Sequence, residues 1–300
     1  MNTSSPSPVL PFLVAALGIG TFAGMDALMK GLSIELGAYN AMLWRTLLSL
    51  VLTGTVFLVQ GMRIPDRTTL RVHVLRGCVI SVMAFLFFWG LARVPLAEAI
   101  ALSFIAPLIA LYLAAWLLGE QIGRAAIMAS VLGFGGALVI IGGKLGGEYD
   151  RQVTLGILAI LLSAVMYAYN LILQRRQALL AAPMEIAFFQ NAIVFLIYLA
   201  VAPWFAVLPP STAAPAIASA SLFSIVSILL LSWAYARAEA RILIPVEYTA
   251  FIWAALLGWL LFSEAVTTAT LVGTALIVMG CLIALRQPNA KIAHVESTAA

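Results

Sequence analysis

Four ionisable side chains, Asp26, Arg45, Arg76 and Glu247, interrupt runs of otherwise apolar residues. A charge at the centre of a bilayer costs about 2.5–3.5 kcal/mol even on lenient insertion scales, so each such group needs a partner, a wet cavity or a task. Glu247 follows Pro245 by two residues. Proline removes a backbone donor and disrupts the preceding turn, and the carbonyls it frees are tolerated in a membrane only against protein or water. Three readings of Glu247 stay open: it accepts an ammonium group, it carries a proton as its accessibility changes, or it hydrogen-bonds Asn170 or Gln190 as a packing residue. Asp26 and Arg45 lie near one end of their segments, where Arg93 and Glu98 begin the connection to another. These four are expected to form an outer polar cluster that gates a path. The competing reading is a buried Asp26–Arg45 ion pair that fixes two helices.

Chemistry of other kinds finds little support. Only two histidines exist, His73 beside a loop and His294 in the tail, and the cysteines Cys78 and Cys281 lie singly in apolar segments. No metal-ligand set or nucleophile–base pair is spaced for catalysis, so no cofactor is expected and the chain reads as a non-enzyme. Gly143-Lys144 continues into Leu145 rather than Ser or Thr, which leaves no phosphate-binding loop and no case for ATP. The Gly18–Ala23 glycine pattern has no strand before it and suits close helix packing instead.

The elements that hold these residues follow from composition. With 64% apolar residues, 9% charged and a mean hydropathy of +1.10, the chain cannot be a water-soluble globule, where about a quarter of residues are charged. Ten apolar runs match a bilayer core of about 30 Å: 9 to 29, 38 to 60, 72 to 92, 96 to 117, 124 to 143, 154 to 174, 184 to 204, 216 to 236, 242 to 262 and 268 to 285. Residues 1 to 8 are a short cytoplasmic segment and 286 to 300 a polar, disordered tail. With the N-terminus in the cytoplasm, ten Lys and Arg fall in inner loops and four (Lys30, Arg93, Lys144 and Arg151) in outer ones. The positive-inside rule therefore puts both termini in the cytoplasm. It also explains the net charge of +4 without nucleic acid.

The stretch from Trp89 to Glu120 recurs 144 positions later, from Trp233 to Glu264, with nine of thirty-two positions identical. Trp89/Trp233, Arg93/Arg237 and Glu120/Glu264 carry most of the weight. A long-period repeat decides architecture: repeats at 9 to 143 and 154 to 285, five spans each. Five is odd, so the second copy enters the membrane upside down. The expectation is an all-α membrane protein of ten transmembrane helices, two inverted five-helix repeats around a central cavity, a plan that suits alternating access. Trp89, Phe104, Tyr167, Asn170, Gln190, Trp233, Glu247 and Tyr248 are the expected cavity residues. Glu120 and Glu264 are read as helix-capping carboxylates, and Trp116, Trp204 and Trp259 as interface anchors.

The runs "PLAEAIALSFIAPLIALYLAAWLLGE" (95 to 120) and "PVEYTAFIWAALLGWLLFSE" (245 to 264), with the five-plus-five plan, resemble the EamA-type exporters of the drug/metabolite transporter superfamily. Phe251 here stands at the place matching Pro107, where many members carry a proline. The resemblance implies a bacterial inner-membrane carrier that exports small metabolites, amino acids first among them, through a cavity between its halves. Proton exchange through Glu247 or Asp26 and simple facilitated diffusion are both left open. Import, a channel-like facilitator and a membrane-embedded enzyme are the alternatives.

Overall fold

A computed structural model describes residues 9–61, 65–118, 124–143, 151–235, 237, 246 and 248–285. Among these, all regular structure is helical: α1 (Val9–Val59), α2 (Arg67–Leu91), α3 (Leu96–Ser103), α4 (Ala106–Leu118), α5 (Arg124–Gly142), α6 (Arg151–Ala178), α7 (Pro183–Ala200), α8 (Ala202–Phe205), α9 (Ala214–Tyr235), α10 (Ala250–Phe262) and α11 (Thr268–Leu285). A 3₁₀ turn, Ser211–Ala213, precedes α9. Five helical stretches are long and apolar enough to cross a membrane, and four shorter apolar helices accompany them.

Several boundaries differ from expectation for local reasons. The expected first and second spans are two arms of α1, joined at Gly37 alone, whose φ of 78° and ψ of 148° break the helix. That backbone is open to glycine and strained for other residues, so the first arm runs on past residue 29. The expected fourth span, 96 to 117, is two helices. Pro107 has no N–H to offer Ser103 and its ring crowds that carbonyl, so α3 ends at Ser103 and α4 begins at Ala106. The seventh span stops at Ala200 rather than 204, since Pro203 cannot continue the ladder. Asp66 caps α2 by accepting from the Thr68 and Thr69 N–H groups, each at 3.2 Å. Hydrogen bonding from the Thr69 side chain, together with these N–H groups, holds its carboxyl below the usual range.

Helices pack in a few extensive pairs: α1 with α9 and α7, α2 with α6 and α7, α5 with α11, and α10 with α3. The α5–α11 pair touches backbone to backbone. A methyl group on Gly136 would lie 2.4 Å from the Gly273 carbonyl oxygen, and one on Gly280 would lie 2.5 Å from that of Ala129. The α2–α6 pair has a similar point, with Gly90 facing the Gly156 carbonyl. Glycine at such contacts lets helices approach closely where no hydrophobic force acts between them. Large apolar side chains such as Leu58, Val59, Trp204, Leu208 and Trp259 point outward, more than 60% exposed. That is the surface a lipid-solvated bundle carries. Inside, one apolar cluster runs from Met25, Met29 and Leu32 of α1 through Leu91, Leu96 and Leu102 to Ile277 of α11.

Candidate functional site

In the main apolar cluster the α3–α4 break meets the turn that precedes α10. The α3–α4 break falls at Phe104 and Ile105, whose N–H groups turn back in 3₁₀ fashion to Ala101 and Leu102 at 3.2 and 3.3 Å. A matching turn at Tyr248 and Thr249 precedes α10, with the Thr249 N–H on Val246 at 3.0 Å and its hydroxyl on the same carbonyl at 2.6 Å. Phe104 and Tyr248 stand 144 positions apart, and their rings pack edge to face, 5.2 Å between centroids at 89°. Such a pair places the positive ring edge of one on the negative face of the other. Interrupted helices at the core of a membrane bundle expose backbone carbonyls and N–H groups, from which polar sites can be built.

A polar cluster joins α2, α6 and α7. Arg76 is buried and donates Nε to Asn170 Oδ1 at 3.0 Å, Nη1 to Gln177 Oε1, and Nη2 to Gln174 Oε1 at 3.3 Å. Among the described residues no carboxylate lies within ion-pair distance of Arg76. His73 links Gln177 to Glu185, whose Oε1 is 3.1 Å from Nε2, and stacks on Phe189 at 4.8 Å. Asn170, Gln174 and Gln177 recur at i, i+4 and i+7 and so form one polar stripe on α6. That spacing is the sequence signal which reveals the cluster; of its members only Asn170 is among the expected site residues.

A second cluster joins the arms of α1 to α9. Arg45 donates Nη1 to Ser224 Oγ at 3.0 Å, and the Ser221 hydroxyl donates to the Arg45 carbonyl at 3.0 Å. Asp26 is 2% exposed, and its Oδ1 has no hydrogen-bond partner among the described residues. Arg45 is its electrostatic neighbour, yet the two are not within ion-pair distance. The direct Asp26–Arg45 pair of the sequence reading is therefore absent, because Ser224 takes the guanidinium. Arg93 lies elsewhere: its guanidinium sits 3.5 Å from the Trp89 ring centroid, with Nη1 on the Trp89 carbonyl and Nε on Gln152. Arg237 repeats this over Trp233 at 4.2 Å. Glu98, buried in the first turn of α3, accepts from Thr270 at 3.4 Å.

Of the remaining expected residues, Trp89, Phe104 and Tyr248 share the main apolar cluster, while Trp233 joins Ala15, Ile19 and Ala234 in another. Tyr167 packs against Ala106, Ala164 and Ala168. Gln190 is half-buried on α7. Glu247 and Glu120 lie outside the described residues.

The reading of Glu264 as a helix cap misses its partners. One oxygen pairs with Lys30 Nζ, and the other accepts from the Leu96 N–H at 2.7 Å. Lys30, 3% exposed, also donates to the Val94 carbonyl at 2.7 Å. Beside them opens a cavity of about 290 Å³ lined by Lys30, Ile34, Ala92, Arg93, Val94, Pro95, Phe262 and Glu264.

The fold recurs among known proteins. A protein of solved crystal structure matches with a TM-score of 0.59, covering 94% of this chain and 97% of that one at 24% identity, a likeness of fold. The chain is similar to the pseudopaline exporter of Pseudomonas aeruginosa, at 26% identity over 90% of this chain and 94% of the relative. It is also similar to the S-adenosylmethionine uptake transporter of Rickettsia prowazekii, at 23% with 89% of each covered. The riboflavin transporter of Brucella anthropi matches at 24% over 82% of this chain and 87% of its own length. The model of the EamA-like transporter family matches twice, at residues 9–142 and 154–286, and the chain belongs to that family.

Proposed function

We propose that the chain is a secondary carrier that moves small organic metabolites, amino acids among them, outward through the bacterial inner membrane by alternating access between two inverted five-helix halves. The observation that carries this reading is the way repeat-related residues meet. Gly273 is the shifted equivalent of Ala129 and Gly280 that of Gly136, so the Gly136–Gly273 and Ala129–Gly280 contacts exchange under the 144-residue offset. Phe104 touches its own equivalent. Paired contacts of this kind are what a two-fold relation between halves produces. Counted with α1 as two arms, the long and shorter apolar helices among the described residues number ten, which supports five spans per half and hence opposite orientations.

The centre offers an aromatic pair at two helix breaks, with Trp89 in the same apolar cluster. Aromatic faces suit apolar side chains and, by cation–π attraction, an ammonium group. Glu247 is adjacent in sequence to Tyr248 and is the residue assigned to the ammonium or to a coupled proton. The Asp26–Arg45 and Arg76–Asn170 clusters are assigned to opposite ends of the path. Import is the second reading, favoured by the similarity to an uptake transporter.

The test is reconstitution in proteoliposomes with a panel of labelled amino acids, with and without a pH gradient. Saturable counterflow is expected; flux that rises without saturation would indicate a pore. Glu247→Gln that keeps full flux and an unchanged pH dependence removes the proton role. Asp26→Asn and Arg45→Met variants that insert normally and transport at full rate remove the gating role.

A further inference from the structure

The Lys30–Glu264 pair lies apart from the Arg76 and Arg45 clusters. It draws three separate segments to one point: the first arm of α1 through Lys30, the α2–α3 connection through the Val94 carbonyl and Leu96 N–H, and the turn after α10 through Glu264. The turn is shaped for this. Ser263 holds a left-handed conformation, φ 54° and ψ 31°, and is the only described non-glycine residue with positive φ. The Glu264 N–H bonds back to Gly258 at 3.1 Å. Gly258 also leaves room for the carboxylate, since a methyl group there would stand 2.9 Å from Glu264 Oε2.

Lys30 is an ammonium inside an apolar helix, and a buried cation stripped of its anion is strongly disfavoured. Separating the segments takes Glu264 from Lys30, and another anion in its place lowers that cost. The adjoining cavity can receive one. Its lining holds two cations, Lys30 and Arg93, against the single carboxylate of Glu264, with Phe262 as an apolar wall. The latch is also one-sided: the repeat places Gln174 where Lys30 stands in the first half, and Gln174 is engaged with Arg76.

We propose that Lys30 and Glu264 form the latch that holds the outer end of the carrier shut, and that a carboxylate of the outgoing substrate opens it by displacing Glu264 from Lys30. The inference rests on the outward-carrier reading above for its direction and names a carboxylate-bearing substrate class for the exit path. Lys30 is then a specificity-determining residue: it exchanges one carboxylate for another, while Arg93 at the cavity rim draws the anion in.

The experiment reads accessibility rather than transport. Ala92→Cys lines the cavity and is labelled with a membrane-impermeant maleimide in the full chain, with Cys78 and Cys281 replaced by alanine. Glu264→Gln is expected to raise the labelling rate about tenfold, and Lys30→Arg to leave it unchanged. Benzoate is expected to speed labelling in the unaltered pair, benzamide to leave it unaffected, and Lys30→Met to abolish the benzoate effect. Should Lys30→Met fail to insert, Glu264→Gln together with the benzoate–benzamide comparison decides. An unchanged rate in Glu264→Gln, or equal effects of benzoate and benzamide, overturns the latch. If Glu264→Gln speeds labelling while no amino acid of the panel is transported, the latch stands and the proposed substrates fall.

Discussion

Gly136→Ala tests the α5–α11 contact on which the two-fold reading leans. The added methyl would sit 2.4 Å from the Gly273 carbonyl oxygen and 2.8 Å from Ile277 Cγ1. Ordinary contact at a Cβ begins near 3.4 Å, so the helices must part by about 1 Å along their closest line. No flexible side-chain tip can absorb the shift at Gly273, because the opposing atom is backbone. Overpacking of this size costs about 1–3 kcal/mol. Gly135, one residue earlier, has no described residue within 4 Å of the place a methyl group would take, and Gly135→Ala gains helix propensity of up to about 1 kcal/mol. For domains of roughly 150–250 residues each kcal/mol moves the midpoint of heat denaturation by about 2–4 °C, and a longer chain by somewhat less. Size-exclusion chromatography of heated, detergent-solubilised protein should therefore show Gly136→Ala melting several degrees lower and Gly135→Ala level or slightly higher. The pair Gly136→Ala/Gly273→Ala should cost less than the sum of its parts, since once the helices part the second methyl meets less resistance. Equal behaviour of Gly135→Ala and Gly136→Ala would refute the backbone-to-backbone contact.

Two further outcomes are expected. Arg76→Met leaves the Asn170, Gln174 and Gln177 side-chain carbonyls without their shared donor. At about 1–3 kcal/mol per buried unsatisfied group it should lower the melting midpoint more than any outward-facing substitution, and Arg76→Lys should not restore it, since a single ammonium cannot span three acceptors as a guanidinium does. A double-mutant cycle of Phe104→Ala and Tyr248→Ala should show a coupling of about 0.5–1.5 kcal/mol beyond their separate losses. Strict additivity in that cycle would mean the rings do not support one another.

The sequence carries the helices well because each apolar run is a local property. Positions that depend on a proline or glycine are only partly readable. Gly37 is visible, yet the run of helix right up to it is not, since nothing local says that the connection shrinks to one residue. The α3–α4 break hides inside an unbroken apolar run, with Pro107 as its one mark. The turn before α10 has no proline at the matching place, where Phe251 stands, and Tyr248 in that turn packs on Phe104. Side-chain partners are least legible. Distance from a helix end, a local measure, makes Glu264 look like a cap, whereas its partner Lys30 lies 234 residues away in sequence. Opposite charge matches Arg45 with Asp26, but the hydroxyl of Ser224 on a distant helix captures the guanidinium.

The single-residue link at Gly37 has a consequence for how the chain enters the bilayer. With 1.5 Å of rise per residue, Asp26 sits about 16 Å and Arg45 about 12 Å from the bend. The acid and the base thus stand at similar distances from the bend, one on each arm of a single element. Arg45 precedes Ser224 by 179 residues, so the hydroxyl that takes its guanidinium in the fold is made well after the guanidinium itself.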